Sequence, residues 1–464
     1  MKERNIQLAE LIFKILFLIH LCFAFTNMIA GQPIMKVTLV VVLLLGGCLG
    51  LYRIVNYKKY LSVRNWWIFL LFLVSYIITS LVNIRFGIFE SAQYLIWLVF
   101  QFGLLYALDI NRDFESIQKE FDLIAMVFII YSSIVNLIGL FMLYKNFAIY
   151  HKSADGVVHL VGFIWGRLWG LHEDPNHGAV SAVVAVLFAL YFIAKSKKLG
   201  WKIGLGITIL LQAFYIAFSD SRTGVVVLAV GILIYAFLNS YNSERYNKKI
   251  AVAIVSGLTC MIIAFGVVNL MKDGYNSFIA GTVNNNVNNH VENPAENETK
   301  PQIGREEDLE QDVSNRRFDI WGSGFEIFKK NPIVGIGYRN ILPYALSEMP
   351  DTYIVNNDYA NFDSFHNMFV DILAGQGIVG LIIFVVMFVL TMKDLWKILP
   401  YIPKQYYEWM ITLFTVFCVL GVTGVFISVI FFVNCPNTYL FWLCFGYMMY
   451  VVSKCIPKKE KLTN

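Results

Sequence analysis

The sequence predicts an all-α polytopic membrane protein with about twelve transmembrane helices. Three observations carry that expectation. The 464 residues are 58% hydrophobic and 15% charged, with a mean hydropathy of +0.61, where a soluble domain carries about 45–50% apolar and about 25% charged residues. A chain this apolar cannot cover itself with polar surface. Its apolar residues are gathered in runs near the length of about 20 residues that a bilayer core demands. Its Lys and Arg fall in alternate loops between those runs, as they do in multi-pass proteins. A soluble enzyme, a disordered scaffold and a secreted disulfide module are excluded together.

Taken in order, the spans centre on 9–30, 37–52, 66–82, 91–108, 121–143, 177–194, 201–218, 223–238, 250–270, 368–392, 409–433 and 438–453. The charged N-terminus leads straight into the first run without a small-residue cleavage site, so it reads as a retained span. One set of loops holds Arg53, Lys58, Lys59 and Arg64; Lys195, Lys197 and Lys198; Arg245, Lys248 and Lys249; Lys393, Lys397 and Lys404; and Lys454, Lys458, Lys459 and Lys461. The short loops between them hold little more than Lys36, Arg85 and Arg222. This bias predicts both termini in the cytoplasm. The expected organisation is helices 1–5 over 1–144, an outward loop over 145–176, helices 6–9 over 177–270, a large outward loop over 271–365, and helices 10–12 with a cytoplasmic tail over 366–464. Within the large loop, the Asn- and Glu-rich insert 284–312 reads as a mobile spacer or lid. After it, Arg316-Arg317-Phe318-Asp319-Ile320-Trp321 opens a helical pattern with Ile320, Trp321, Gly324 and Phe328 on one face, and Asn331-Pro332 ends it.

The net charge of +5 is small, and the basic residues do not cluster as nucleic-acid binding would require. The seven cysteines form no CxxC pair and read as small core hydrophobes. Charged residues within the spans are few: Lys14 and His20 in the first, Asp371 near the outer end of the tenth. That argues against an ion-coupled transporter, which needs such groups along its pathway despite a cost of about 2.5–3.5 kcal/mol each.

The polar residues of interest collect on the expected outer face. Arg222 sits in the short turn Ser219-Asp220-Ser221-Arg222-Thr223. Either Ser or Asp merely caps the next helix while Arg222 snorkels to the headgroups, or the guanidinium serves a ligand. Arg316 and Arg317 open the loop helix, as a solvated pair or as a phosphate clamp whose planar forks match phosphate oxygens. His366, in Ser364-Phe365-His366-Asn367, stands where the large loop re-enters the membrane; it is a packing residue or a base for an acceptor hydroxyl. His172-Glu173-Asp174-Pro175-Asn176-His177 is not a zinc-protease pattern, because its histidines are five apart and Pro175 interrupts the helix. Asp174-Pro175-Asn176 reads instead as the turn into the sixth span, and no metal site or cofactor is expected. Gly335-Ile336-Gly337 lacks a third glycine and reads as a tight turn. Asn297-Glu298-Thr299 matches a glycosylation sequon, a frequent chance match.

Five of these stretches, in this order, resemble the O-antigen ligase and Wzy polymerase superfamily of bacterial membrane glycosyltransferases. They are Gly170 to Ala179 with its Pro-Asn, Ser219 to Gly224, Arg317-x-x-x-Trp321, Asn331-Pro332-Ile333-Val334-Gly335-Ile336-Gly337, and His366-Asn367 leading into Gly377-Ile378-Val379-Gly380-Leu381. The resemblance covers roughly residues 160–392; before that only hydropathy matches. It implies a GT-C-like fold without a nucleotide-sugar site. It also implies a glycan donor on an undecaprenyl pyrophosphate carrier at the outer face of the bacterial cytoplasmic membrane. Arg222, Arg317 and His366 match the family's active-site residues: the arginines for the pyrophosphate, the histidine as base or phosphate ligand. Arg316, Arg339, Asn367 and Asn176 are secondary, substrate-binding candidates, with Arg316 an alternative to Arg317. A flippase delivering the donor and a chain-length regulator are the partners such a reading brings.

Three functions compete: a polysaccharide polymerase for capsule, exopolysaccharide or O-antigen; a ligase moving finished glycan to another acceptor; and a lipid-linked glycan transporter. The outward Arg and His favour an enzyme. A composition rich in Lys, Asn and Ile hints at an AT-rich genome and a Gram-positive host without lipid A, which tips the expectation to polymerase.

Overall fold

The computed structural model describes residues 2–152, 158–242, 249–289, 302–304, 316–357 and 361–456. Of the insert 284–312, residues 290–301 and 305–312 lie outside the described residues, as does the sequon at 297–299. The principal helices are α1 (Lys2–Ala24), α2 (Pro33–Val55), α3 (Trp66–Val82), α4 (Ile84–Phe100, continued by a π-helical turn Gln101–Tyr106) and α5 (Phe114–Tyr144). They continue with α6 (Pro175–Lys195), α7 (Leu199–Phe218), α8 (Arg222–Asn242), α9 (Lys249–Asn289), α10 (Arg317–Lys330), α11 (Ile341–Glu348), α12 (Met368–Ile398), α13 (Tyr407–Thr423) and α14 (Pro436–Cys455).

The chain is thus a multi-pass, mostly helical membrane protein. Among the described residues, ten helices are long and apolar enough to cross a membrane. The other two expected spans are helical as well: α3 has 17 residues, and α14 carries Asn437, Thr438 and Ser453 but is buried almost throughout. A helix enclosed by protein needs no uniformly apolar surface. The expected span 409–433 is corrected: its helix ends at Thr423, and 424–435 runs as irregular, buried chain. Apolar composition hid this, since non-helical backbone is tolerated at depth when protein surrounds it.

The chain folds as two compact units, one of Met1–Leu18, Thr38–Asp122 and Asp312–Asn464, the other of Ile19–Val37 and Leu123–Gln311. In the first, α12 packs on α3 and α10, and α14 packs on α13 and the π-turn. Its core is aromatic: Phe69 lies 4.2 Å from Tyr106, Phe102 4.8 Å from Trp442, and Tyr338 stacks on Phe432 at 4.3 Å.

Charges in this unit's helices are more numerous than the hydropathy runs suggest. Glu10, Lys14, Arg53 and Glu120 are all buried within helices. Hydropathy windows stop at a charge, whereas these helices continue through it because each charge is paired. Arg53 Nη2 meets Glu10 Oε1 at 2.6 Å and its Nη1 donates to Gly103 O and Ala107 O at 2.5 and 2.6 Å. Glu120 accepts from Lys14 at 2.5 Å, Arg112 at 2.6 Å and Tyr447 OH at 2.8 Å.

Two sequence motifs become one structure here. Helix α12 breaks at Gly377, which has φ 65°. The loop 331–337 lies in the break: Ile336 N donates to Ala374 O at 3.0 Å and Gly337 N to Gly375 O at 2.8 Å. In return, Ile378 N donates to Pro332 O at 2.9 Å. Gly335, with φ 67°, faces the backbone of 374–376, where a Cβ would stand 2.6 Å from Ala374 O. The backbone groups released by the break are therefore satisfied inside the protein, as a membrane requires.

In the second unit, α8 packs on α9 and α6, and α6 on α7. The expected outward loop 145–176 holds a small antiparallel sheet, β1 (Ala148–Lys152), β2 (Val158–Ile164) and β3 (Arg167–Gly170), paired in that order. It is an addition to the all-α expectation. Trp165 and Gly166, with φ 53° and 67°, make the two-residue turn between β2 and β3, the left-handed pair that hairpins favour.

Candidate active site

The candidate residues fall into two groups, one in each unit. In the first unit, Arg316 caps α10 with φ 63°, and Arg317 is that helix's first residue. Of the predicted face, Ile320 and Gly324 are buried, together with Ser323 and Ile327, while Trp321 and Phe328 are half-buried. Gly324 lets α10 approach closely, since a Cβ there would stand 3.1 Å from the Phe365 ring. This packing carries α10 onto the segment that holds His366. The Arg317 guanidinium lies 5.9 Å from the centre of the Phe426 ring.

His366 is half-buried, with φ 51°, a conformation a non-glycine residue adopts only when its surroundings impose it. The surroundings do so on both sides. Phe365 N donates to Asp371 Oδ1 at 2.9 Å, and Ser428 donates to the other oxygen of the same buried carboxylate. Asn367 caps α12, its Oδ1 accepting from Phe369 N at 2.9 Å and Val370 N at 3.3 Å. That oxygen is therefore engaged by the helix start. The His366 ring stands edge-on to Phe362 at 5.9 Å. Arg339 lies on a turn between loop 331–337 and α11, exposed, 5.2 Å from the Tyr94 ring.

In the second unit, Arg222 is exposed at the head of α8. Ser221 caps this helix, its Oγ accepting from Gly224 N at 3.0 Å, as the sequence led us to expect of Ser or Asp. Asp174 caps α6, accepting from Asn176 N at 2.7 Å and His177 N at 3.0 Å. The turn into the sixth span is thus as expected. Burial alone would raise Asp174, but His177, Arg167 and the two N–H donors hold it below the usual carboxylate range. His172 is buried against Asn136, with Nε2 2.8 Å from Asn136 Oδ1, and burial pushes it down to about 4. Asn136 and Ser132 in turn donate to Gln212, so this cluster is bound up in a buried polar network.

Sequence reasoning missed three residues around these groups. Asp371 was noted only as a charge in a span, Ser428 lay in an expected helix, and Arg167 was not singled out. Arg167 is buried and reaches both Ser219 and Asn176. Its one local signal is the Trp165-Gly166 turn that precedes it.

A comparison with curated proteins gave no match. A family model described as O-antigen ligase matches residues 207–385. This stretch includes Arg222, Arg316, Arg317, Arg339, His366 and Asn367 and leaves out Asn176. Over this stretch the chain is similar to the O-antigen ligase family.

Proposed function

We propose that this protein is a polysaccharide polymerase. It would join repeat units carried on undecaprenyl pyrophosphate, at the outer face of the bacterial cytoplasmic membrane, with both termini inside. The observation that carries the reading is the family match over 207–385, which supports glycan transfer of the ligase or polymerase type. An extracytoplasmic enzyme has no nucleotide sugar at hand, so an activated, membrane-borne donor suits the chemistry.

In the proposed step, an acceptor hydroxyl attacks the anomeric carbon of the donor. Its C–O bond to the diphosphate breaks, and the polyprenyl diphosphate leaves. Arg317 offers fixed positive charge and paired N–H donors to the diphosphate as charge develops there. His366 takes the hydroxyl proton. Arg222 is carried over as a residue required for the same transfer, and Arg316 and Arg339 as secondary phosphate ligands. Lys, Asn and Ile richness favours polymerase over ligase through the host that it suggests.

The test is a gel of cell-surface glycan from a deletion strain complemented with wild type or His366→Ala. Single lipid-linked units in place of long chains, rescued only by wild type, are expected. Long chains left on the carrier lipid would identify a ligase instead. An unchanged profile would overturn both enzyme readings.

A further inference from the structure

Arg167 is a buried cation in the outward loop, 7% exposed, at the first position of β3. Its side chain bridges Ser219 and Asn176. Nε donates to Ser219 O at 2.8 Å, and Nη2 donates to Asn176 Oδ1 at 3.1 Å. The same Asn176 oxygen accepts from Ser221 Oγ at 2.9 Å. Ser219 and Ser221 are the first and third residues of the turn that ends in Arg222. Asp220 between them has φ 47° and is paired with Lys272 at 2.6 Å. The turn is therefore held by Arg167 and Asn176 and, through Asp220, by Lys272.

We infer that Arg167 is a positioning residue that, through Asn176 and the carbonyl of Ser219, holds the 219–222 turn so that Arg222 is presented for transfer. The inference rests on the reading of Arg222 as a residue required for transfer. It recasts Asn176, whose carbonyl oxygen is already shared by Arg167 and Ser221, as part of the holding apparatus. A guanidinium suits this role because its donors diverge from a rigid plane. Lysine would keep the charge near Asp174 but could not span both acceptors in one fixed geometry. The Trp165-Gly166 turn sets Arg167 opposite Ile164 in the hairpin, so the small sheet becomes the frame from which the grip is applied.

The experiment is a double-mutant cycle on glycan transfer, read as the ratio of polymer to single lipid-linked units at matched membrane levels. Arg167→Gln and Arg167→Lys are each expected to lower that ratio by about 10- to 100-fold. In an Arg222→Ala background, they are expected to lower it no further. Asn176→Leu, which removes the shared acceptor, should match Arg167→Gln and add nothing to it in the double variant. Losses that multiply with Arg222→Ala would overturn the inference while leaving the reading of Arg222 intact, as would wild-type transfer by the Arg167 variants. Full transfer by Arg222→Ala itself would overturn the reading of Arg222 and the inference with it. If Arg167→Gln fails to insert, Asn176→Leu decides: wild-type transfer by it overturns the grip.

Discussion

Lys14 and Glu120, separated by 106 residues in the chain, form a 2.5 Å ion pair with side chains 1% and 3% exposed. Around it, three cations (Lys14, Arg53 and Arg112) face two carboxylates (Glu10 and Glu120). The balance predicts an asymmetry. Lys14→Met leaves two charges of each sign, with Glu120 still held by Arg112. Glu120→Leu leaves three cations against one carboxylate. Removing one partner of a buried pair costs about 3–5 kcal/mol, and Glu120→Leu is expected to show that cost while Lys14→Met shows less. Thermal unfolding of the detergent-solubilised protein measures both, and a larger loss for Lys14→Met would refute the balance.

Arg317→Ala and His366→Ala are each expected to reduce polymer by at least about 100-fold, the range for losing a charge-stabilising donor or a general base. Membrane levels should be unchanged. Arg317→Lys should fail as well, because an ammonium lacks the paired donors. Polymer at wild-type length from Arg317→Lys would reduce Arg317 to a point charge.

Asp371 accepts from the Phe365 amide and from Ser428. Asn at 371 has one acceptor oxygen and one donor nitrogen, so one of these donors would face another donor. Asp371→Asn should therefore loosen the His366 turn and cut transfer roughly 10-fold, an estimate for a misplaced base. Ser428→Ala, which removes only a donor, should cost less. Equal activity of wild type and Asp371→Asn, at equal expression, would detach Asp371 from His366.

The interlocked glycines predict a packing effect. Alanine at Gly377 would carry φ 65° and bring its Cβ to 2.8 Å from Val334 N. That backbone, with φ 65° and ψ −163°, is open essentially to glycine alone, and holding alanine in it costs about 1–3 kcal/mol. Gly377→Ala and Gly335→Ala should lower the unfolding temperature by several degrees. Gly322→Ala, with no neighbour within 4 Å of its added carbon, should not. A Gly377→Ala protein as stable as Gly322→Ala would disprove the interlock.

Burial holds His172 neutral, with its pKa down to about 4. The unfolded chain, near 6.5, takes up the proton first. The contribution to stability is then complete above about pH 6.5 and shrinks as pH falls from about 6.5 toward 4, by about 1.4 kcal/mol per unit. Unfolding scans between pH 7 and 4.5 should show a steeper fall for wild type than for His172→Gln. Parallel curves would place the imidazole in water.

The apolar runs made the helices legible, because a span is a local property that a window of about 20 residues contains. The same locality delivered the start of α10 at Arg317, its stop at Asn331-Pro332, and the Asp174-Pro175 turn. Three of the five ordered motifs pointed to Arg222, Arg317 and His366 one at a time. Only tertiary structure decided what surrounds them. That Arg167 reaches Ser219, that Asp371 meets Ser428 across 57 residues, and that the Gly335 loop fills the break at Gly377 are all contacts between distant segments. The chain around 424–435 shows the reason most plainly. Its apolar residues suit a helix as well as a buried irregular strand of chain, and the choice fell to neighbours that satisfy its backbone inside the protein.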